Sequence, residues 1–150
     1  MSGEIIESQW VYVDPTFALT HPSTQSLGAI WFVIGWIALH LTLALWFLVE
    51  IAALWLGVMD RGFLLAGPVD GGLWLLVFVT LMAAFAVVDI LALIGLLGRH
   101  PLARIPVWIT LVLTFPLSLP LVVYWADGVK PNLLYAHRFE RMVDPEKGVA

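Results

Sequence analysis

Three ionisable residues stand inside otherwise apolar stretches of the chain: His40, Glu50 and Asp89. Such side chains are costly in hydrocarbon, so each is a candidate functional residue. By helical rise, His40 and Asp89 lie at the same height, roughly 5 Å from the middle of two antiparallel helices. A carboxylate that accepts the histidine Nδ1–H leaves Nε2 as a metal ligand or a base. His40 and Asp89 therefore form a candidate pair, whereas the neighbours of Glu50 by height are Tyr124 and Trp125.

Each of the three residues also has a purely structural interpretation. His40 can hydrogen-bond a neighbouring helix. Asp89 lies one turn from Ala86 and Ala92, and small residues allow helices to approach closely around a polar contact. Glu50 can stay hydrated if it lies near the end of its helix. The sequence leaves these alternatives open.

Two of the eight tryptophans, Trp36 and Trp46, lie deep in the apolar stretches. Trp36 precedes His40 by four residues, so both side chains cover one helix face. The Trp36 indole is therefore a candidate wall for a flat cofactor, or it is simply lipid-facing bulk.

The composition indicates a membrane protein. Of 150 residues, 61% are hydrophobic and 12% are charged, against about 45–50% and about 25% in soluble domains. The net charge of −4 leaves no basic patch, which argues against nucleic acid as a partner. The chain has no cysteine, which excludes disulfides, thiolate metal sites and cysteine nucleophiles.

The apolar blocks predict an all-α integral membrane protein with three transmembrane helices and an amphipathic C-terminal tail. The polar N-tail is expected to be extended chain and turns around Asp14-Pro15 and His21-Pro22. The single membrane domain, 1–150, divides into an N-tail, three helices and a C-tail: 1–27; 28–59, 72–97 and 105–126; and 127–150.

Two features of the third helix and the C-tail carry further expectations. Pro116 and Pro120 remove two backbone donors from one face, which predicts a kink in the third helix. Beyond it, Tyr135, Phe139 and Met142 share one face of a short helix that is expected to lie in the interface.

Orientation follows from the distribution of basic residues. Three crossings put the N-tail with the second loop, which holds Arg99 and Arg104. They put the first loop with the C-tail, and this side has five basic residues: Arg61, Lys130, Arg138, Arg141 and Lys147. The rule predicts a cytoplasmic C-terminus and an external N-terminus, in a bacterial inner membrane.

Residues 10–45 resemble the α-type antenna polypeptides of purple photosynthetic bacteria. The run from Trp10 to Pro15 precedes an apolar helix that holds Ala38-Leu39-His40-Leu41. The resemblance implies that His40 ligates the magnesium of bacteriochlorophyll and that Trp46 lies against the pigment or donates a hydrogen bond to it. A heme is the alternative ligand of His40. It also implies a small non-catalytic subunit of a photosynthetic energy-conversion complex, with the bilayer, larger membrane proteins and pigments or quinone as partners.

Residues 40–128 are similar to the emopamil-binding sterol isomerase family. They have a histidine and a glutamate in one apolar helix, the Arg99-His100-Pro101-Leu102 loop and the end from Tyr124 to Asp127. The resemblance implies acid–base chemistry on a sterol or isoprenoid lipid. The catalytic residues would be His40, Glu50 and Asp89.

Other catalytic patterns are lacking in the sequence. It has no HExxH motif and no glycine-rich phosphate loop. The element from His100 to Arg104 can bind a lipid headgroup or a heme propionate, or it is a solvated loop. The leading interpretation is therefore non-enzymatic, and an assembly subunit without a ligand is a third possibility.

Overall fold

The computed structural model describes residues 7–58 and 73–143. This part of the chain is mostly helical, which confirms the predicted helical fold, and it adds a small two-stranded ribbon. Short 3₁₀ turns occupy Pro22–Thr24 and Pro101–Ala103. In chain order the elements are β1 (Glu7–Tyr12), α1 (Pro15–Thr20), α2 (Ile30–Trp55), α3 (Leu73–Leu97), α4 (Arg104–Leu113), α5 (Leu119–Asp127), α6 (Val129–Ala136) and β2 (Arg138–Val143).

The two long helices, α2 and α3, pack against each other along their length. Neither contains proline, and nearly every residue in them is apolar. Small or branched side chains are buried along the pair, including Ile37, Ala44, Ala86 and Ala92. Gly57, in the left-handed region at φ 68°, follows the end of α2. The loop predicted between these helices lies outside the described residues.

The third apolar stretch is two helices and not one kinked helix. α4 ends at Leu113 and α5 begins at Leu119, with turns between them. Pro116 and Pro120 lack the N–H groups that a continuous helix would use there. The hydroxyl of Ser118 donates to the Leu111 carbonyl, so a side chain replaces part of the missing backbone bonding. We call residues 104–127 the hairpin and residues 114–118 its tip.

The hairpin returns to the end of the molecule from which it starts. The Trp125 ring lies 5.2 Å from the ring of Tyr135, whose hydroxyl donates to the Leu96 carbonyl at 2.8 Å. Lys130 Nζ donates to the carbonyl of Ser26 at 3.3 Å, beside the start of α2. The hairpin therefore does not run the length of the α2–α3 pair, and the predicted third crossing is wrong.

The two tails meet at this same end. β1 and β2 pair antiparallel, with Tyr12 opposite Arg138 and Glu7 opposite Val143. The predicted amphipathic helix of the C-tail is therefore wrong after Ala136, because Phe139 and Met142 lie on a strand. The prediction that the N-tail and the C-tail lie at opposite ends is also wrong, because the two tails pair in this ribbon.

The N-tail is more structured than expected. Asp14 and His21 are extended, as residues before proline should be, but each prolyl residue then begins a helical turn. The Asp14 carboxylate accepts from the Thr16 hydroxyl and from the Thr16 N–H, and these bonds lower the pKa of Asp14. The carboxylate thus caps α1.

Candidate functional site

The structure brings His40 and Asp89 together across the α2–α3 interface. His40 Nδ1 lies 2.6 Å from Asp89 Oδ2, a short hydrogen bond. Each residue is about 12–15 Å along its helix from the shared end, by helical rise, which accounts for the match in height. The Asp89 side chain is 1% exposed and that of His40 is 24% exposed. The pair therefore has one fully buried member and one that reaches the surface.

A third helix completes the pair from the other side of the carboxylate. The hydroxyl of Thr110, on α4, donates to Asp89 Oδ1 at 2.6 Å. Both carboxylate oxygens thus accept a short hydrogen bond, and Thr110 is itself buried. Because Asp89 is held from two helices, it fixes the orientation of the His40 ring, as a carboxylate does for a ligating histidine.

The rest of the His40 ring lines a groove of about 400 Å³ between α2 and the tip of the hairpin. This volume falls within the range of small-molecule sites, about 300–1,000 Å³. We call it the His40 groove. Its flanking side chains are apolar and strongly exposed at Leu39, Leu43 and Leu117, so it opens on the lateral surface of the helices. The lining residues are Trp36, Leu39, His40, Leu43 and residues 113–117.

Because Nδ1 of His40 bonds to Asp89, Nε2 is the ring nitrogen that remains available for chemistry. A neutral ring that donates from Nδ1 to Asp89 has its lone pair on Nε2. Within residues 7–58 and 73–143, no hydrogen bond to Nε2 is formed. The ring also faces Phe85, with centroids 6.3 Å apart. This arrangement suits coordination of a metal or abstraction of a proton.

Trp36 lines the same groove, as its spacing from His40 predicts. Its indole Nε1 donates to Thr114 Oγ1 at 2.9 Å, which joins α2 to the tip of the hairpin. Thr110 and Thr114 are site residues that the sequence analysis missed. They lie with Ser118 at intervals of four in an apolar stretch, and this polar stripe was the available signal.

The other two predicted site residues lie away from the groove. Trp46 is 55% exposed and donates Nε1 to Glu50 Oε1 at 2.7 Å. Glu50 is buried at 4% exposure, so it is not a hydrated residue near a helix end. Tyr124 and Trp125 were expected beside it, but they belong to the opposite end because the hairpin turns back.

The donor set fits a metal that brings most of its own ligands. In the described part of the chain, no three His, Cys, Asp or Glu side chains converge on one point. A bare ion would therefore lack protein ligands there. His40 Nε2, with an apolar surface around it, would hold the iron or magnesium of a tetrapyrrole, which would supply light absorption or electron transfer.

Comparison with known proteins adds no relative: no family model, no curated protein and no solved structure matches this chain.

Proposed function

We propose that this chain is an integral membrane protein in which α2 and α3 cross the bilayer and the hairpin enters and leaves on one side. α2 has 26 residues, about 39 Å of helix, which exceeds a hydrocarbon core of about 30 Å. α4 has 10 residues, about 15 Å, enough for half of that core. Helices of this length and hydropathy are consistent with insertion.

The bonding at the tip suits this position. Non-helical backbone at membrane depth is tolerated where its polar groups find partners within the protein. The N–H groups of Thr114, Phe115 and Ser118 all donate to backbone carbonyls of residues 110–114. The Thr114 and Ser118 hydroxyls likewise donate to carbonyls of α4. The turn therefore exposes few unpaired donors.

A hairpin that enters and leaves on one side changes the predicted orientation of the chain in the membrane. Five of the seven basic residues belong to the end where both tails meet, against Arg61 in the connection between α2 and α3. The five are Arg99, Arg104, Lys130, Arg138 and Arg141. The positive-inside rule then places this end, with both described tails, in the cytoplasm. The proposed location is a bacterial inner membrane.

The function that the site supports best is that of a non-catalytic subunit holding a lipophilic ligand at His40. The carrying observation is the buried Asp89 that fixes Nδ1 of His40, while the ring lines a groove open on the lateral surface of the helices. We propose a tetrapyrrole, bacteriochlorophyll or heme, as the ligand, within an energy-conversion complex of photosynthetic type. The resemblance of residues 10–45 to antenna polypeptides supports this choice. The tetrapyrrole would supply light absorption or electron transfer.

Purification in mild detergent from the native membrane tests this function. We expect a tetrapyrrole absorption band in stoichiometric amount, together with larger membrane proteins that stay associated through detergent exchange. A colourless protein that purifies alone would overturn the proposal.

A second candidate is acid–base chemistry on a sterol or isoprenoid lipid. The same pair favours it, because His40 Nε2 can act as a base toward a substrate in the groove. Glu50 lies ten residues from His40, about 15 Å along α2, and bonds to Trp46, so it has no part in this version. An Asp89→Asn variant would then lose isomerisation of sterol or isoprenoid substrates, while Glu50→Gln would keep it. Equal activity in both variants would exclude this chemistry.

A further inference from the structure

A second lateral groove lies between α3 and α4. Its volume is about 670 Å³. We call it the His100 groove. Its long walls are apolar, and the side chains of Leu91, Ile94 and Ile105 stand exposed along them. The lining residues are Val88, Leu91, Ile94, Gly95, Gly98, His100, Leu102, Ala103, Ile105, Pro106 and Ile109.

The dimensions of the His100 groove match one leaflet of a bilayer. From Val88 to Leu97 the α3 helix rises about 14 Å, close to half of a hydrocarbon core of about 30 Å. The deep end is apolar and the shallow end reaches the 3₁₀ turn at Pro101–Ala103. Gly95 lets α3 and the 3₁₀ turn pack closely at this end, since a Cβ there would lie 2.7 Å from the Ala103 Cβ.

Among the described residues that line the groove, the polar side chain lies at the shallow end. His100 Nδ1 accepts the N–H of Leu102 at 3.2 Å, so a neutral ring carries its proton on Nε2. His100 is exposed, and this N–H can therefore donate outward. Arg104 begins α4 next to the lining residue Ile105, and in the described part of the chain it has no acidic partner. An outward donor on His100 thus lies at the end of an apolar groove, and the chain places Arg104 between the lining residues Ala103 and Ile105.

We propose that the His100 groove binds one anionic phospholipid of the cytoplasmic leaflet, with an acyl chain along α3 and α4 and its phosphate at His100 and Arg104. Charge complementarity selects this occupant, because the groove opens at the end that holds five of the seven basic residues. The apolar length of the groove, about one leaflet, is the reason for placing an acyl chain in it. This site depends on membrane insertion but not on a ligand at His40.

The test is native mass spectrometry of the full chain released from nanodiscs that contain equal parts of phosphatidylglycerol and phosphatidylcholine. We expect one phosphatidylglycerol per chain, retained at least about fivefold over phosphatidylcholine. Both lipids carry the phosphate, but the choline cation offsets its charge, and one basic residue favours an anionic lipid by about that factor. The double variant His100→Gln/Arg104→Gln should retain both lipids equally. The double variant His137→Gln/Arg138→Gln is the matched control, with the same residue types at the same end, and should behave as the wild type.

A second pair of variants tests the acyl part of the site. Leu91→Trp fills the groove, whereas Val87→Trp adds the same side chain at another exposed position of α3. We expect at least a threefold loss of bound phosphatidylglycerol in the first and none in the second. Equal retention of the two lipids by the wild type, or equal loss in target and control variants, would overturn the site. Tetrapyrrole content measured on the same samples separates this result from failure of the His40 proposal.

Discussion

Replacement of Asp89 by asparagine tests how the buried carboxylate sets up His40. The change keeps the shape but removes the charge from a residue that is 1% exposed and accepts two hydrogen bonds of 2.6 Å. If the amide oxygen takes over the bond from Nδ1, a charge-assisted bond of about 1.5–3 kcal/mol becomes a neutral one of about 0.5–1.5 kcal/mol. If the amide nitrogen faces the ring instead, Nδ1 must accept and the proton moves to Nε2. Both arrangements weaken coordination by Nε2.

The expected loss of affinity for a metallo-tetrapyrrole is about tenfold for the first arrangement and larger for the second. This agrees with the range of about 10–100-fold for removing the carboxylate behind a ligating histidine. The assay is an absorbance titration of the reconstituted protein with iron protoporphyrin IX. Thr110→Val removes only one of the two bonds to Asp89, and we expect a loss of about two- to fivefold.

The matched control is Asp127→Asn, an exposed aspartate at the end of α5. It makes the same chemical change far from the His40 groove, so its affinity should equal that of the wild type. An Asp89→Asn protein that binds iron protoporphyrin within twofold of the wild type would refute the role given to the carboxylate.

Three further predictions concern the fold. The chain has no native cysteine, so single cysteines can report topology: Gln25→Cys and Val129→Cys should react with a membrane-impermeant maleimide from one side and Val58→Cys from the other. Labelling of Val129→Cys from the side that labels Val58→Cys would instead indicate three crossings. Trp46→Phe should lower the free energy of unfolding by about 1–3 kcal/mol, because it removes the 2.7 Å bond from Trp46 to Glu50. The control Trp31→Phe, at an exposed tryptophan, should change it by less than about 0.5 kcal/mol. Equal effects of the two variants in denaturant titrations would count against this bond. Burial raises the pKa of Tyr135 to about 12, above its usual value of 10.0. The phenol therefore stabilises the fold below pH 10 and loses this effect as the pH rises through 12. Tyr135→Phe should remove this part of the alkaline unfolding transition, and an unchanged transition would exclude Tyr135 as its source.

The sequence carried enough information for the His40–Asp89 pair because height along a helix is a local property. Two apolar stretches of similar length must run antiparallel, and the rise per residue then brings these positions level. Which faces meet depends on the rotation of each helix about its axis. Both helices are apolar on nearly all sides, so the amphipathic signal that would set this rotation is weak.

The hairpin could not be read from length alone. The stretch 105–126 is long enough to cross a bilayer, about 33 Å as one helix. Its prolines signalled a disturbance, but a kink and a reversal differ only in what the far half packs against. Here Trp125 and Tyr135 pack together beside Leu96, and this contact spans separations in sequence that no local pattern reveals.

The ribbon of the two tails was missed for the same reason. Tyr12 and Arg138 are partners across nearly the whole chain, with the Arg138 guanidinium 4.7 Å from the Tyr12 ring centre. Neither six-residue strand has a neighbouring partner in sequence, because nearly the whole chain lies between them, whereas hairpin turn signals act over about two to five residues. Pairing of this kind depends on the positions to which the packed helices bring the two ends of the chain.

The most direct measurement of the central claim compares the absorption spectra of wild-type and His40→Ala proteins. Both are extracted in parallel from the native membrane and normalised to protein. The proposed axial role of His40 predicts a tetrapyrrole band in the wild type and its loss in His40→Ala, with the fold of the variant preserved by circular dichroism. A band of equal intensity in both proteins, or no band in either, would contradict it.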